Sequence, residues 1–379
     1  MLKTGTMKIG FDAKRAFNNA AGLGNFSRNT ITALARQNPD DQYFLFHPGI
    51  KNPLFLPPEN SVEIKPEGLF WKTFKNSWRS FRIANQAKNL NIDLYHGLSH
   101  ELPLGIEKTG IKSVVTIHDL IYFRFPEYFK AIDRTIYDRK FRHACRVAHR
   151  IHAISEQTKR DLISFFAVPE EKIKVIYQSV NPLFFLENTW DQKLAIRRKY
   201  QLPEKFLLTV GTVEPRKNLL ALLEGMVLAK LYIPVVVIGK LTCYHLKVQK
   251  FIEADLNRLE VFFLPKIKVD ELAVLYQMAE VMVYPSLFEG FGLPVAEAQA
   301  SGCPVITSNT SSLPEAGGSA ALYINPENPE EIGRTIKNLL ADHNLRDSLI
   351  EKGKINAQRF TGESFAQQLK QLYNSVVNV

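Results

Sequence analysis

The sequence lacks long apolar runs and has few cysteines. No stretch of its 379 residues approaches the roughly 18 consecutive apolar residues of a membrane-spanning helix. Residues 1–8 also lack the hydrophobic region of a secretory signal. The three cysteines are scattered at Cys145, Cys243 and Cys303, so neither a disulfide framework nor a zinc knuckle is indicated. These absences predict a cytosolic protein.

Acidic residues are scarce in the first half of the chain. Residues 1–185 contain 27 lysines and arginines against 17 aspartates and glutamates, whereas residues 186–379 contain 21 of each class. The formal net charge of +10 therefore arises wholly in the first half. An anionic partner is expected there, such as a nucleic acid, an acidic membrane surface or a phosphorylated lipid. Because no nucleic-acid-binding motif is present, we favour a partner other than nucleic acid.

No acidic residue occurs between Glu67 and Asp93, and a helical pattern at 70–82 lies in this gap. Aromatic residues recur there at spacings of three, four and three, and a basic residue follows each of them directly. The positions are Trp71, Phe74, Trp78 and Phe81, followed by Lys72, Lys75, Arg79 and Arg82. Such a helix can lie on an anionic bilayer. It can equally pack its aromatic stripe into a domain core, and the sequence leaves both interpretations open.

Length and composition predict two globular domains. The chain is too long for one comfortable core, and 45% apolar with 23% charged residues is typical of soluble globular proteins. Predicted strands and helices alternate twice along the chain, which indicates an α/β fold with two Rossmann-like, doubly wound parallel sheets. We place the first domain at residues 1–185 and the second at 186–361. Ligand is expected in a cleft that both domains face, at the carboxyl ends of their strands.

The stretch 286–302 is a strong candidate for a ligand site. An apolar run directly before it predicts a buried strand, and its second half predicts a helix. Gly290 and Gly292 allow the intervening loop to turn sharply and a phosphate to approach the helix amides. Glu289 and Glu297 lie near the same strand end, where carboxylates suit sugar or ribose hydroxyls. The alternative is an ordinary strand-to-helix turn with an acidic, solvated helix face.

A cationic loop follows the strand predicted at 206–211. Arg216 and Lys217 lie where this strand end meets the amino end of a helix predicted at 219–229. Two cations at a helix amino end are electrostatically unfavourable unless an anion is present. They could neutralise a diphosphate leaving group. The alternative is a pair of exposed residues at the start of a helix.

The first half contains comparable strand ends. Gly22 and Gly24 lie between the first predicted strand and an amphipathic helix, a geometry that offers amides to a phosphate. A plain turn explains these two glycines equally well. His118 and Asp119 end a predicted buried strand, and His100 lies in a loop after another strand, so all three are well placed for a ligand. The competing interpretation is that a single histidine at a strand end is structural.

Three segments resemble glycosyltransferase family 4, the retaining GT-B enzymes that use nucleotide-sugar donors. They are residues 116–120 (Thr-Ile-His-Asp-Leu), 211–218 and 288–297, the last with two glutamates separated by seven residues that include Phe-Gly-Leu-Pro. The resemblance extends over residues 7–375. It implies a GT-B fold in which the first domain binds the acceptor and the second binds the donor. It also implies that a C-terminal helix at about 362–379 crosses back to the first domain.

The resemblance implies a role for each candidate residue. His118 would lie beside the transferred sugar or the acceptor, Glu289 would hold the sugar, and Glu297 would hold the ribose. Catalytic positions implied in this way are His118, Glu289, Lys217 and Arg216. Donor-binding positions are Gly22, Gly24, Gly211, Thr212, Lys266, Ile267, Gly290, Phe291, Gly292, Leu293 and Glu297. Acceptor-side positions are Asp119 and His100. Because many relatives carry an arginine where this chain has Thr212, Arg216 and Lys217 would have to supply the positive charge.

The implied activity is retaining transfer of a hexose, with mannose favoured, in cell-envelope polysaccharide synthesis. The donor would be a nucleotide sugar, GDP-mannose by preference or a UDP-sugar, and the acceptor a glycan or a polyprenyl-diphosphate-linked glycan. The chain has no Asp-x-Asp signature, so we expect a metal-independent reaction without a cofactor. The enzyme would be cytoplasmic, with peripheral contact to the inner face of the membrane if Trp71, Phe74 and Trp78 meet lipid. Two other hypotheses stay open: a nucleotide-binding partner protein without turnover, and, less favoured, a basic nucleic-acid-binding protein.

Overall fold

The chain folds into two compact units, each with its own parallel sheet. The computed structural model describes residues 6–49, 53–254 and 258–378. The first unit contains the chain up to Ser179 together with the part from Gly362 onward, and the second is Val180–Thr361. In the described ranges, no helix is both long and apolar enough to cross a membrane.

The division between the units lies a few residues before the predicted boundary at 185. Phe184 is 1% exposed and packs edge-on against Tyr276, with ring centroids 5.7 Å apart. Ser301 Oγ also donates a hydrogen bond to the Phe184 carbonyl at 3.2 Å. The segment around Phe184 is therefore part of the second unit's core.

The sheet of the first unit is parallel throughout. Its strands, within the described ranges, are β1 (Lys8–Asp12), β2 (Gln42–Phe46), β3 (Ser61–Ile64), β4 (Leu94–Gly97), β5 (Lys112–Ile117), β6 (Arg150–Ala153) and β7 (Ile173–Val175). Their order is β3-β2-β1-β4-β5-β6-β7, and every neighbouring pair is parallel. The inner strands are apolar because both faces of such a sheet are covered: Val114, Val115 and Ile117 of β5 are fully buried.

Helices cover this sheet. They are α1 (Lys14–Asn18), α2 (Gly22–Gln37), α3 (Leu69–Thr73), α4 (Lys75–Phe81), α5 (Ile83–Asn89), α6 (Ile121–Arg124), α7 (Ala131–Val147) and α8 (Glu156–Phe166). The start of α8 is fixed by Ser155, whose Oγ accepts the backbone N–H of Thr158 at 3.0 Å. Amphipathic sequence puts the apolar side of α2 on the sheet, where Phe26 and Leu34 are buried.

The second unit repeats the strand and helix alternation. Its elements are α9 (Trp190–Tyr200), β8 (Leu207–Val210), α10 (Leu219–Leu228), β9 (Val235–Ile238), α11 (His245–Ala254), β10 (Val261–Leu264), α12 (Val269–Met278), β11 (Val281–Tyr284), α13 (Leu293–Ala300), β12 (Val305–Ser308), α14 (Leu313–Gly317), β13 (Leu322–Ile324), α15 (Pro329–Ala341) and α16 (His343–Ala357). The strand order is β10-β9-β8-β11-β12-β13, and the pairs are again parallel. Both sheets are thus doubly wound, as predicted.

The C-terminal helix α17 (Gly362–Val377) belongs to the first unit. Its apolar side is buried in the same core as Phe26 of α2, and includes Phe365, Leu369 and Tyr373. The Tyr373 hydroxyl also lies 2.6 Å from Nδ1 of His96 in β4. The last helix is therefore fixed to the first sheet by both apolar packing and a buried hydrogen bond.

The prediction of one amphipathic helix at 70–82 is wrong. The helix breaks at Phe74, where φ is −96° and ψ is 58°, so that α3 and α4 are separate. Trp78 is completely buried and donates its Nε1–H to Gln86 Oε1 at 2.9 Å. Phe74 and Phe81, in contrast, are 52% and 60% exposed. The aromatic residues are thus divided between the core and the surface, and Trp78 is removed from any membrane contact.

Candidate active site

The order of strands reverses once in each sheet, between β1 and β4 in the first and between β8 and β11 in the second. Ligand sites of open α/β sheets form at such reversals, outside the carboxyl ends of the strands. The loop at 211–218 follows β8, and the loop at 285–292 follows β11. The two loops predicted to bind phosphate therefore follow β8 and β11, the two neighbouring strands at this reversal.

Glu289 is the centre of the contacts at this reversal. Its Oε1 atom accepts hydrogen bonds from Lys217 Nζ at 2.5 Å and from Ser286 Oγ at 2.6 Å. The same atom accepts from Tyr284 OH at 3.0 Å and lies 2.9 Å from Arg216 Nη1. All of these bonds use Oε1, which leaves Oε2 without a protein partner among the residues that the structure describes. A carboxylate oxygen is thus available to a ligand hydroxyl.

Opposing effects act on the pKa of the Glu289 carboxyl. Burial raises it, but the charges of Lys217 and Arg216 and the hydrogen bonds from Lys217 and Ser286 outweigh burial and lower the pKa to about 2. Glu289 is therefore a carboxylate at neutral pH. Its ionised form stabilises the fold above the ordinary pKa of 4.5, and this contribution is lost as the pH falls toward 2.

Lys217 and Arg216 differ in whether all of their N–H donors are taken up by protein partners. The Lys217 ammonium has three donors, of which two bond to Glu289 and to the Tyr284 hydroxyl, both at 2.5 Å. One donor is left without a partner in the described part of the chain. The Arg216 guanidinium bonds to Glu289, to the Phe288 carbonyl at 2.6 Å and to Glu214 Oε1 at 2.7 Å. Arg216 therefore joins the two loops, and Lys217 keeps a donor for an anion.

Glycine is required at specific points of these loops. Gly211 has φ +140°, and a Cβ there would lie 3.2 Å from Lys217 Cε. A Cβ on Gly239 would lie 2.0 Å from the Gly211 carbonyl oxygen, so the two backbones pack in contact. Gly292 has φ +96° and directly precedes α13, where a Cβ would meet Leu313 at 2.6 Å. Backbone geometry thus explains Gly211 and Gly292 independently of any ligand.

The remaining residues of the second loop are largely buried. The Phe291 side chain is 2% exposed and packs edge-on against Phe360, with ring centroids 5.3 Å apart. Gly290 is buried, and Leu293 is the half-buried first residue of α13. Any contact of Phe291 with a donor would therefore be made by its backbone.

Glu297 lies on α13, the helix that follows the loop containing Glu289. Its Oε2 accepts a hydrogen bond from the Tyr276 hydroxyl at 3.2 Å. Burial raises the pKa of the Glu297 carboxyl to about 7, and the bond from Tyr276 opposes this shift only in part. Glu297 therefore titrates near neutral pH, unlike Glu289.

Three predicted donor-binding residues lie outside the Glu289 cluster. Thr212 is half-buried beside Gly211. Lys266 is exposed and Ile267 half-buried in the loop after β10, an edge strand that β9 separates from β8. The structure gives none of these three side chains a polar contact with Glu289, so their donor-binding role stays a prediction.

Sequence reasoning missed four residues that hold Glu289 in place. Tyr284 and Ser286 bond to its carboxylate, as described above. Ser311 Oγ accepts the Glu289 backbone N–H at 3.1 Å, and Ser312 Oγ donates to the Glu289 carbonyl at 2.9 Å. The sequence signal for Ser311 and Ser312 is the run of hydroxyl residues that follows β12. This strand is the neighbour of β11 in the sheet. Hydroxyl runs are common in loops, so this signal is weak without the fold.

His118 directly follows β5 in the first unit and is 4% exposed. Its Nε2 lies 3.0 Å from the Leu98 carbonyl oxygen, so Nε2 carries the hydrogen and Nδ1 is an acceptor. Burial lowers the pKa of the ring to about 3, although the bond to Leu98 opposes that shift. The Phe26 ring packs edge-on against it at 4.6 Å. His118 is thus a neutral acceptor, fixed in one tautomer.

His100 and Asp119 lie at the same edge of the sheet. His100 has φ +63°, stacks on Phe141 at 4.3 Å and lies 5.1 Å from His118 between ring centroids. Its buried Nδ1 has no hydrogen-bond partner in the described residues. Asp119 Oδ1 accepts the Ile121 backbone N–H at 3.1 Å and so closes the turn that leads into α6. His100 and His118 are brought together, whereas Asp119 has a structural function that its sequence position did not indicate.

A charged network that sequence reasoning missed occupies the reversal between β1 and β4. Arg79 Nε donates to Asp12 Oδ2 at 2.7 Å, and Arg79 Nη1 lies 3.0 Å from Glu101 Oε2. Arg15 Nε donates to Ser99 Oγ at 3.0 Å. Arg79 comes from the predicted basic stripe, but it is ion-paired rather than solvated.

Gly22 and Gly24 form the first turn of α2. A Cβ on Gly24 would lie 1.8 Å from the Asn19 carbonyl oxygen, whereas a Cβ on Gly22 would meet nothing within 4 Å. Close packing against Asn19 therefore explains Gly24, and steric fit does not explain Gly22. A role for either in phosphate binding stays a prediction. In the described ranges, no group of three or more His, Cys, Asp or Glu side chains is arranged to hold a metal ion.

Sequence comparisons match both units to known protein families. Residues 20–182 match the model described as Glycosyltransferase Family 4, and residues 192–356 match the model described as Glycosyl transferases group 1. The O-antigen chain mannosyltransferase RfbU of Salmonella typhimurium is 30% identical over 273 residues, which cover 72% of this chain and 70% of RfbU. The chain belongs to glycosyltransferase family 4. The O-antigen chain mannosyltransferase B of Escherichia coli is also similar to this glycosyltransferase, with 27% identity over 97% of this chain and 99% of that protein.

Comparison with solved structures supports the predicted fold. The structure of HepE from Anabaena in complex with UDP has a TM-score of 0.73 and 16% sequence identity, and the match covers 97% of this chain and 100% of HepE. This level of identity supports the fold alone. The family-4 glycosyltransferase therefore has the GT-B fold predicted from its sequence, with the two parallel sheets described above.

Proposed function

We propose that this glycosyltransferase transfers a mannosyl group from a nucleotide sugar, GDP-mannose by preference, to a glycan or polyprenyl-diphosphate-linked acceptor. The names of two relatives, both O-antigen chain mannosyltransferases, support the sugar and the polysaccharide product. The observation that carries the proposal is the cluster of Glu289, Lys217 and Arg216 at the reversal between β8 and β11. A buried carboxylate with two cations and an unused ammonium donor suits a sugar diphosphate.

The second unit would bind the donor. The free donor of Lys217 would bond to a diphosphate oxygen and stabilise the charge that develops as the sugar leaves. Oε2 of Glu289 would accept a sugar hydroxyl, and Glu297 would accept the ribose hydroxyls. Arg216 would act indirectly, since its guanidinium is used to join the loops. This assignment changes Arg216 from a phosphate ligand to a positioning residue.

The transfer would proceed with retention and without a metal ion. The bond from the anomeric carbon to the phosphate oxygen breaks, and the acceptor oxygen bonds to the same face of that carbon. The acceptor hydroxyl proton passes to an oxygen of the departing diphosphate, which balances the reaction. Lys217 and the amides of the two loops take the part that a metal ion plays in other transferases.

The first unit would bind the acceptor side. His118 has an acceptor at Nδ1 and a fixed tautomer, so it would receive a hydrogen bond from a sugar hydroxyl rather than donate one. His100 lies beside it, and its own Nδ1 has no hydrogen-bond partner in the described part of the chain. Both residues are neutral in this environment because burial lowers the pKa of each ring.

Thermal unfolding with a panel of nucleoside diphosphates tests the donor. A ligand that binds only the folded state raises stability by about 2.7 kcal/mol at 100 times its dissociation constant. We expect GDP to raise the melting temperature more than UDP or ADP. A larger shift with UDP would replace GDP-mannose with a UDP-sugar, and no shift with any nucleotide would contradict the proposed donor class.

Radiolabelled donor then tests turnover. The enzyme should transfer the sugar to an acceptor extract, or hydrolyse the donor slowly, and Glu289→Gln should abolish both activities. Tight nucleotide binding without either activity would instead identify a nucleotide-binding partner protein. Binding to duplex DNA that weakens steeply with salt, with no effect of nucleotides, would favour the nucleic-acid hypothesis.

A further inference from the structure

A pocket of about 600 Å³ opens on the first unit between α7 and the connection from α8 to β7. This volume is typical of small-molecule sites in proteins. One wall runs from the end of α8 to Lys172. The other wall is the second half of α7, which contributes four basic side chains: Arg139, Arg142, His143 and Arg146. We call this cavity the α7 pocket.

The α7 pocket lies at the opposite edge of the sheet from the candidate acceptor residues. His118 directly follows β5, at the carboxyl ends of the parallel strands. Lys172 directly precedes β7, at their amino ends. All of the described lining residues belong to the first unit. A ligand in this pocket would therefore be distinct from both the acceptor and the donor of the proposed reaction.

Arg142 is held in the pocket wall by protein contacts. Its Nε donates to Asp138 Oδ1 at 2.9 Å, and its Nη2 donates to the Phe165 carbonyl at 3.3 Å. The guanidinium carbon also lies 4.3 Å from the centroid of the Phe166 ring. Asp138 is the one carboxylate among the described lining residues, and it is paired with Arg142. The structure thus explains Arg142 without a ligand.

The other cations of the pocket have no carboxylate partner in the part of the chain that the structure describes: Arg139, Arg146 and Lys172. Lys172 Nζ donates to the Arg146 carbonyl at 2.8 Å, which uses one of its three donors. His143 Nε2 is buried, and it also lacks a hydrogen-bond partner among the described residues. Several donors of the pocket are therefore available to an anion.

This charge pattern is unfavourable for α7 by itself. Residues 139–147 contain no aspartate or glutamate, and like charges four residues apart, such as Arg142 and Arg146, destabilise a helix. The helix dipole favours Arg146 in the last turn of α7. It does not favour Arg139, which lies about two turns earlier. An anion in the pocket would offset the repulsion.

We propose that the α7 pocket binds a soluble anion with two or more phosphate groups. Arg139 and Arg146 are seven residues apart, which is about 10 Å along the helix axis. One phosphate group does not span that distance, so the ligand carries more than one. Guanidinium groups suit phosphate because their N–H donors match a pair of its oxygens. Binding at this pocket does not require the proposed transferase reaction.

The same helix also contacts the candidate acceptor edge. The Phe141 ring stacks on His100 at 4.3 Å, and Lys140 Nζ lies 3.3 Å from Glu101 Oε1. Arg139 and Arg146 take no part in these contacts. Replacing the two arginines should therefore leave the packing of α7 and the acceptor edge unchanged.

Hydrogen exchange of the full chain in the presence of sodium tripolyphosphate tests the proposal. We expect the probe to slow exchange in segments 139–147 and 166–173. The concentration that gives half of this protection measures affinity at the α7 pocket, even if the probe also binds elsewhere. Arg139→Gln/Arg146→Gln should raise that concentration by about tenfold or more, since a hydrogen bond to a charged group contributes about that factor. Orthophosphate should protect the same segments only at a much higher concentration than tripolyphosphate.

A matched variant of the first unit provides the control. Arg36 and Lys88 are exposed and do not line the α7 pocket. Arg36→Gln/Lys88→Gln removes the same charge and should leave the half-protection concentration unchanged. An equal loss in this control would show non-specific attraction to the net positive charge. That result, or unchanged protection in Arg139→Gln/Arg146→Gln, would overturn the proposal.

Other occupants give different exchange patterns. Protection confined to the loops at 211–218 and 288–297 would place tripolyphosphate in the donor site alone and contradict the α7 pocket. Protection of segments 139–147 and 166–173 by duplex DNA or by phosphatidylglycerol vesicles, but not by tripolyphosphate, would assign the cations to a polymer or a lipid headgroup and would also overturn the proposal. The measurement needs neither donor nor turnover. Protection of the α7 pocket in a protein without transferase activity would therefore support this inference and count against the proposed function alone.

Discussion

Among the described residues, Glu289 and Tyr284 bond to two of the three ammonium donors of Lys217 and the third has no partner, and this determines what replacement of Lys217 should do. Lys217→Met removes the charge that would stabilise the leaving diphosphate, so we expect kcat/KM to fall by about 10²- to 10³-fold. Steady-state transfer of radiolabelled sugar measures the loss.

The matched control for Lys217 is Lys240, an exposed lysine that directly follows Gly239 at the end of the neighbouring strand β9. Lys240→Met should retain activity. Circular dichroism checks that Lys217→Met is folded. We expect it to fold, because Arg216 still pairs with Glu289 when the lysine charge is removed. Full activity of a folded Lys217→Met protein would remove Lys217 from the mechanism.

Glu297 should make donor binding depend on pH. Its pKa is about 7 in the free protein, and hydrogen bonds from ribose hydroxyls favour the ionised form. Donor binding therefore releases a proton below pH 7, and affinity should rise about tenfold between pH 6 and pH 8. Isothermal titration with a nucleoside diphosphate measures this change.

The variant Glu297→Gln separates the pH dependence due to the Glu297 carboxyl from that due to the phosphate of the nucleotide. The glutamine keeps an acceptor oxygen but cannot ionise, so only the nucleotide's own phosphate titration should remain. The difference between the two pH profiles reports Glu297. Identical profiles would show that Glu297 does not change its ionisation when the donor binds.

At the scale of elements, the sequence predicted regular α/β repeats well and their exceptions badly. β8 and β11 lie where the strands at 206–211 and directly before residue 286 were predicted, because buried parallel strands are apolar on both faces. β3 was missed because it is an edge strand in a proline-rich segment, with Val62 51% exposed. The break at Phe74 was missed because helical periodicity continues across it.

The candidate site shows the same limit. The segments at 211–218 and 288–297 could be selected from their residues, but their pairing depends on which strands are neighbours. Tyr284 ends a strand that looked purely structural, and its hydroxyl bonds to both Lys217 and Glu289. Ser311 and Ser312 follow a different strand again. Such contacts arise from strand order, which local sequence does not determine.

β4, β5 and β6 are joined by a buried chain of hydrogen bonds that ends at α17. His152 Nε2 lies 2.8 Å from the Ile176 carbonyl oxygen, so Nε2 carries the hydrogen and Nδ1 accepts from the Thr116 hydroxyl. Thr116 Oγ1 then accepts from His96 Nε2, which leaves His96 Nδ1 to accept from Tyr373. Every member is satisfied only if both histidines are neutral.

Thr116→Val should break this chain at its centre. The valine has a similar shape but leaves His96 and His152 each with an unpaired buried nitrogen, at a cost of about 2–4 kcal/mol. Urea unfolding followed by tryptophan fluorescence measures the loss, in a Trp190→Phe background where Trp71 and Trp78 of the first unit are the remaining reporters. Thr135→Val, on the exposed face of α7, should cost little. A loss in Thr116→Val no larger than in Thr135→Val would contradict the chain.

At the scale of the whole molecule, the two units should respond differently to acid. Burial lowers the pKa of every histidine in the first unit: His47, His96, His100, His118, His143, His149 and His152. A histidine with a lowered folded pKa binds its proton mainly in the unfolded state. The stability of the first unit is therefore fully present above about pH 6.5 and declines as the pH falls below that value.

The second unit should withstand acid over the same range. Protonation of Glu297 below pH 7 stabilises it, because the folded-state pKa of about 7 lies above the ordinary value of 4.5. Glu289 opposes this only as the pH falls from 4.5 toward 2. Hydrogen exchange at pH 7.5, 5.5 and 4.5, corrected for intrinsic rates, should show β5 and β6 losing protection at a higher pH than β8 and β11. Simultaneous loss in both sheets, or earlier loss in β8 and β11, would show that buried histidines do not set the acid limit of this protein.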